Sequence, residues 1–192
     1  MLLGTDEKTS KLEELEQKII AEKVGGRLIQ PDIKLVMGSG NIDAKVMFVG
    51  EAPGRKENEE GLPFVGASGK LLNELLLSIK LPRSEVYITN IVKYRPPDNR
   101  DPSNTEKKAF QPFLLQQIDI IGPDVVCPLG RHATSMLTVG KVEISKLHGT
   151  AIKSCAYTIV PLYHPAAAMY DPRLRATLFD DFQKLKDIVN SI

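Results

Sequence analysis

Four positions in this 192-residue chain carry side chains that could do chemistry together: Glu51, Asn90, Arg131 and His164. A carboxylate can orient water or offset a cation, and a side-chain amide can donate and accept on one ligand edge. A neutral imidazole can donate to a developing anion, and a guanidinium holds a fixed positive charge. Each of them comes after an apolar run. VMFV at 46–49 leads to Gly50 and Glu51, VYIT at 86–89 to Asn90, DVVCPLG at 124–130 to Arg131, and YTIVPLY at 157–163 to His164. Apolar runs without alternation read as parallel strands covered on both faces, and open α/β sheets bind ligands at the carboxyl ends of their strands. The spacing therefore predicts one rim that gathers all four.

The elements between these runs supply the helical layers. Residues 10–24 read as an amphipathic helix, with Ser10 and Glu13 at capping-box spacing and Leu12, Leu15 and Ile19 as its stripe. Gly66 to Lys80 reads as a helix with Leu71, Leu72, Leu75 and Ile79 inward, and Ser103 with Glu106 as the capping box of another, which Gly122 and Pro123 end. A short helix comes after Gly130, and Asp171 with Pro172 opens the last one. Strands alternating with helices predict a three-layer α/β/α fold around a central, mostly parallel four-stranded sheet, in a single domain over residues 1–192.

The chain is 42% apolar and 26% charged, ordinary globular values, and its net charge of +1 argues against nonspecific coating of nucleic acid. Any nucleic-acid contact must come from local clusters, for which Lys93, Arg95, Arg100, Arg131 and Arg173 are candidates because they flank strand ends. Neither a run of about 18 apolar residues nor a signal-peptide pattern is present, so an intracellular location, in cytoplasm or nucleoid, is expected, with no membrane partner. The two cysteines, Cys127 and Cys155, read as buried free thiols rather than a disulfide or a metal site.

GEAPG at 50–54, PFVGASG at 63–69, YITNIVKYRPPDNR at 87–100, CPLGRHA at 127–133 and HPAAAMYDP at 164–172 together resemble the motif series of the family-four uracil-DNA glycosylases. The order and approximate spacing match from about residue 35 to the C-terminus. The resemblance implies an enzyme of base excision repair that flips uracil out of DNA and hydrolyses its N-glycosidic bond, acting as a monomer on single- or double-stranded DNA. A noncatalytic reader of uracil-containing DNA with a degenerate site is the alternative.

Within that resemblance, Gly50, Ala52, Phe64 and Asn90 surround the uracil. Asn90 can donate to O4 while accepting from N3–H, a pattern that cytosine reverses, and Phe64 can stack on the flipped base. Taken alone, the two could equally be a turn asparagine and a core phenylalanine. His164 would donate to uracil O2, and the other histidines, His132 and His148, lack such placement. Glu51 stands where a better-studied glycosylase branch has glutamine, and Ala52 replaces that branch's water-activating aspartate. Glu51 could orient water or offset the sugar cation, or equally hold the loop backbone. Ser68, Lys93, Arg95 and Arg131 would face the DNA. Met169 or Tyr170 would fill the gap left by the base, or both would pack on the final helix.

The family usually carries a four-iron, four-sulfur cluster on four cysteines. Here Tyr94 and Phe110 occupy two of those positions and no cysteine precedes Cys127, so no cofactor and no metal are expected. A related branch that traps the abasic sugar covalently uses a histidine-bearing insertion, and residues 90–106 contain no histidine.

Overall fold

A computed structural model describes residues 3–140 and 142–192, so residues 1, 2 and 141 of the expected 1–192 domain lie outside the described part. In chain order the elements are α1 (Thr5–Ala21), β1 (Ser39–Gly40), β2 (Val46–Gly50), α2 (Arg55–Glu60), α3 (Ala67–Ser78), β3 (Tyr87–Asn90), α4 (Asn104–Ile121), β4 (Val125–Pro128), α5 (Gly130–Leu137), α6 (Ile144–Leu147), β5 (Ile152–Lys153), β6 (Thr158–Ile159), α7 (Pro165–Ala168) and α8 (Pro172–Asn190).

The sheet runs β1-β3-β2-β4-β6-β5. Its centre, β3-β2-β4-β6, is parallel throughout, as the unbroken apolar runs predict. The expected four strands are flanked by two more. β1 lies antiparallel to β3 and β5 antiparallel to β6. Each edge strand is two residues long, too short for any periodicity to mark it in sequence.

Alternate residues of β2 feed two separate cores. Val46 and Phe48 pack with Leu72 and Leu75 of α3 and with Leu178 and Phe182 of α8, where Phe48 and Phe182 stack at 5.8 Å. Met47 and Val49 pack on the other face with Ile19 of α1 and Leu114 and Ile118 of α4. Each fully buried Phe or Leu contributes about 1.5–3 kcal/mol. Both faces of the sheet are thus sealed, and the carboxyl rim is left as its open edge.

The caps at Ser103 and Asp171 form as expected. Ser103 Oγ accepts from the Glu106 N–H while the Glu106 carboxylate accepts from the Ser103 N–H, and the Asp171 carboxylate accepts from Arg173 N–H. The Ser10–Glu13 box does not form. The first helix starts at Thr5 with Gly4 as its N-cap, leaving Ser10 in the helix interior, hydrogen-bonded to Glu14. Asp6 and Glu7 in the first turn suit the positive end of the helix, which therefore begins upstream of that signal.

Candidate active site

The strand ends converge as the sequence predicts. Gly50 pairs with Asn90 in register. A bridge between Leu129 and Leu162 carries β4 and β6 further along the same edge, and the Gly130 N–H donates to Leu162 O at 2.7 Å. Gly130 takes φ +85°, and a Cβ there would stand 3.1 Å from that of His164, so glycine permits the close approach.

At this edge Ala52, Gly54, Glu57, Phe64, Ser68, Asn90 and His164 enclose a cavity of about 140 Å³. A cavity of about 150 Å³ holds one benzene ring, so the space suits a single pyrimidine. A Cβ on Gly50 would overlap Asn90 Oδ1 and lie 2.6 Å from the Phe64 ring. Only glycine lets the amide and the aromatic ring stand side by side. The Asn90 side chain has no hydrogen-bond partner among the described residues, and its amide opens on the cavity. The Phe64 and His164 rings stand 5.7 Å apart, tilted by 30°.

The loop carrying Phe64 is held under backbone strain. Phe64 has φ +52°, uncommon for a bulky residue. Arg83 donates to Pro63 O at 2.6 Å and Phe64 O at 3.0 Å, fixing the two carbonyls. From the other side, Glu57 Oε1 accepts from Val65 N–H at 3.0 Å and Gly66 N–H at 2.8 Å. Glu57 is 9% exposed and its carboxylate borders the cavity. Neither Glu57 nor Arg83 stands out in sequence. Their only signals are an acid inside the helix after a Gly/Pro loop and an arginine after Pro82.

His164 Nδ1 accepts from the Ala166 N–H at 3.1 Å, capping α7. The ring is half-buried and borders both open spaces, yet the protein packed around it disfavours a charge and pushes its pKa down to about 4, with Glu57 opposing the shift. The imidazole is therefore neutral near pH 7.

An outer cleft of about 320 Å³ adjoins this cavity, sharing Ala52, Gly54 and His164 with it and adding Glu51, Asn99, Asp101 and Ala167. Glu51 stands in this cleft rather than in the inner cavity. Its Oε1 is buried without a hydrogen-bond partner. Burial pushes the Glu51 carboxyl up; His132, then Lys107 and Arg131, pull it back down, against Asp101. His132 does not line the inner cavity, but it stands beside the outer cleft, its Nε2 3.7 Å from Glu51 Oε1. His148 lies apart, its Nδ1 2.6 Å from the buried Asp181 carboxylate.

Of the residues expected to face DNA, Ser68 lines the inner cavity itself. Tyr170 is 87% exposed and Met169 37%, so neither is packed away beneath α8. Arg131 is exposed, and Arg95 Nε donates to Asn99 Oδ1. Lys93 is a correction. Its ammonium is fully buried and donates to Thr89 Oγ1, Asn90 O and Gln117 Oε1 at 2.6–2.8 Å, so it faces the core and braces the Asn90 backbone. Burial lowers its pKa to about 7. Its place near a strand end in sequence hid the direction in which its side chain turns. Arg100 is engaged too, its guanidinium forked onto the Glu106 carboxylate.

The residues at the expected cluster positions do not fit an iron–sulfur cluster. Tyr94 and Phe110 meet edge to face at 6.1 Å, and a Cβ on the adjacent Gly25 would lie 3.0–3.2 Å from both rings, so aromatic carbon fills this volume. Cys127 is buried in β4, while Cys155 is exposed, against the expectation that both thiols are buried.

Among known proteins, several type-4 uracil-DNA glycosylases are similar to this chain. That of Sulfurisphaera tokodaii is 44% identical over 186 residues, covering 92% of this chain and 84% of that protein. That of Saccharolobus solfataricus is 46% identical over 166 residues, 81% of this chain and 76% of the relative. That of Thermotoga maritima is 42% identical over 159 residues, with 81% and 83% covered. A family model described as the uracil DNA glycosylase superfamily matches residues 37–188, the span that holds the sheet and both cavities, and the chain belongs to that superfamily.

Proposed function

We propose that this chain is a monofunctional uracil-DNA glycosylase of base excision repair, working inside the cell as a monomer on uracil in single- or double-stranded DNA and leaving an abasic site. The observation that carries the reading is the inner cavity of about 140 Å³, which brings Phe64, Asn90 and His164 together next to the cleft holding Glu51.

A base between the Phe64 and His164 rings would need two contacts of about 3.5 Å, more than their 5.7 Å separation allows. The flipped base therefore lies on Phe64 with His164 at its edge. Asn90 reads O4 and N3–H, and His164 Nε2–H donates to O2. As the bond between N1 and the sugar C1′ breaks, its electron pair moves onto the base, and the O2 hydrogen bond strengthens with that charge. Glu51, outside the base cavity, faces the sugar side, where a carboxylate offsets the cation and orients the water that adds to C1′. Arg95 and Arg131 lie along the DNA, and Met169 or Tyr170 enters the space left by the base.

Incubation with uracil-containing single- and double-stranded oligonucleotides followed by alkali tests the reading. Strand cleavage at the uracil position is expected. Tight binding without cleavage would make the chain a reader of uracil rather than an enzyme.

A further inference from the structure

His132 sits on α5, one residue past the Arg131 end of the β4 rim, and four charged groups face it. Glu51 comes from the loop after β2, Asp101 from the turn before α4, Lys107 from α4 and Arg131 from α5. The Lys107 ammonium, which can only donate, lies 3.4 Å from His132 Nδ1. Nε2 lies 3.2 Å from Asp101 Oδ2 and 3.7 Å from Glu51 Oε1, and these two acceptors place the proton of a neutral imidazole on that nitrogen, leaving Nδ1 to accept from Lys107. Arg131 Nη2, also only a donor, stands 3.3 Å from the same nitrogen and opposes that tautomer, against the two carboxylates that favour it.

The two carboxylates differ in what they can gain. The Asp101 side chain is 74% exposed, so water competes for its contact with His132. The Glu51 side chain is 24% exposed, and its Oε1 has neither water access nor a hydrogen-bond partner. Hydrogen bonds of a catalytic group are often long before substrate arrives and tighten in the complex.

We propose that His132 is a positioning residue for Glu51: its Nε2–H, favoured by the two carboxylates that face it, is the donor that fixes and ionises the Glu51 carboxylate once DNA covers the cleft. The role rests on the reading of Glu51 as the carboxylate on the sugar side. Glu51 acts only when ionised, and loss of a donor raises the pKa of a buried carboxyl. The acid limb of the rate profile must therefore move to higher pH when His132 is removed.

The test is the single-turnover excision rate across pH, together with uracil-DNA affinity, for His132→Ala, His132→Gln, Glu51→Gln and the double variant Glu51→Gln with His132→Ala. His132→Ala is expected to lower the rate about tenfold on the acid limb, the effect of one pH unit of movement, with little loss on the plateau and unchanged DNA affinity. His132→Gln offers an amide donor where Nε2–H stood and should keep the wild-type limb. In the Glu51→Gln background, His132→Ala should add nothing. An unmoved limb, an equal loss in both backgrounds, or a matching loss of DNA affinity would overturn the role. Wild-type activity in Glu51→Gln would overturn the reading of Glu51 itself, and this role with it.

Discussion

His164 accepts the Ala166 N–H through Nδ1 at 3.1 Å, and this one bond fixes which ring nitrogen carries the proton. With Nδ1 engaged as an acceptor, the neutral ring carries its proton on Nε2, the tautomer that the proposed donation to uracil O2 needs. Burial lowers the pKa to about 4, so the ring stays neutral through the range where an unfolded histidine would charge. The folded state then binds fewer protons than the unfolded chain between about pH 6.5 and 4. His164 thus contributes stability above about 6.5, and that contribution is lost as pH falls through this window. Nitrogen-15 spectra of the imidazole should show an Nε2-protonated ring titrating near 4, and titration near 6.5 would contradict the burial.

Asn90→Asp should weaken uracil excision and move preference towards cytosine, because a carboxylate accepts from cytosine N4 but cannot donate to uracil O4. One mismatched buried polar contact costs about 1–3 kcal/mol. Competitive excision from oligonucleotides carrying either base measures it, and undiminished uracil excision would remove Asn90 from base reading.

Gly50→Ala probes the same wall without touching a polar group. Its Cβ would overlap Asn90 Oδ1 and crowd the Phe64 ring, so one side chain must move and the cavity must narrow. Overpacking costs about 1–3 kcal/mol, and here the expected loss falls on excision more than on melting temperature, since both displaced groups border open space. A variant with wild-type rates would show that the cavity is not where the base sits.

Much of this site is legible in sequence because it is built from strand ends. Apolar runs without alternation locate the parallel strands, and the residues at the carboxyl end of each run must reach the rim, which places Glu51, Asn90 and His164 together. The direction in which side chains turn is not legible. Lys93 and Arg95 are two residues apart, yet one is fully buried beneath Asn90 and the other reaches the surface loop. Glu57, Arg83 and His132 escape a sequence reading because each acts on a partner set by the tertiary fold, the Phe64 loop or Glu51, and no spacing rule links such partners. The two edge strands escape it for want of length.

Purified protein should contain no iron and show no visible cluster absorption, since Tyr94 and Phe110 occupy the volume and neither cysteine lies there. Elemental analysis of anaerobically prepared protein checks this. Stoichiometric iron would require ligands other than cysteine.

The claim that this cavity is the place of chemistry is tested most directly by measuring the single-turnover excision rate and the uracil-DNA affinity of His164→Ala side by side. A donor whose bond strengthens as charge builds on the base is felt mainly in the transition state, so the rate should fall about 10²–10³-fold while affinity changes far less. An equal fall in both would make His164 a uniform binding residue, and no change in either would remove this strand end from the active site.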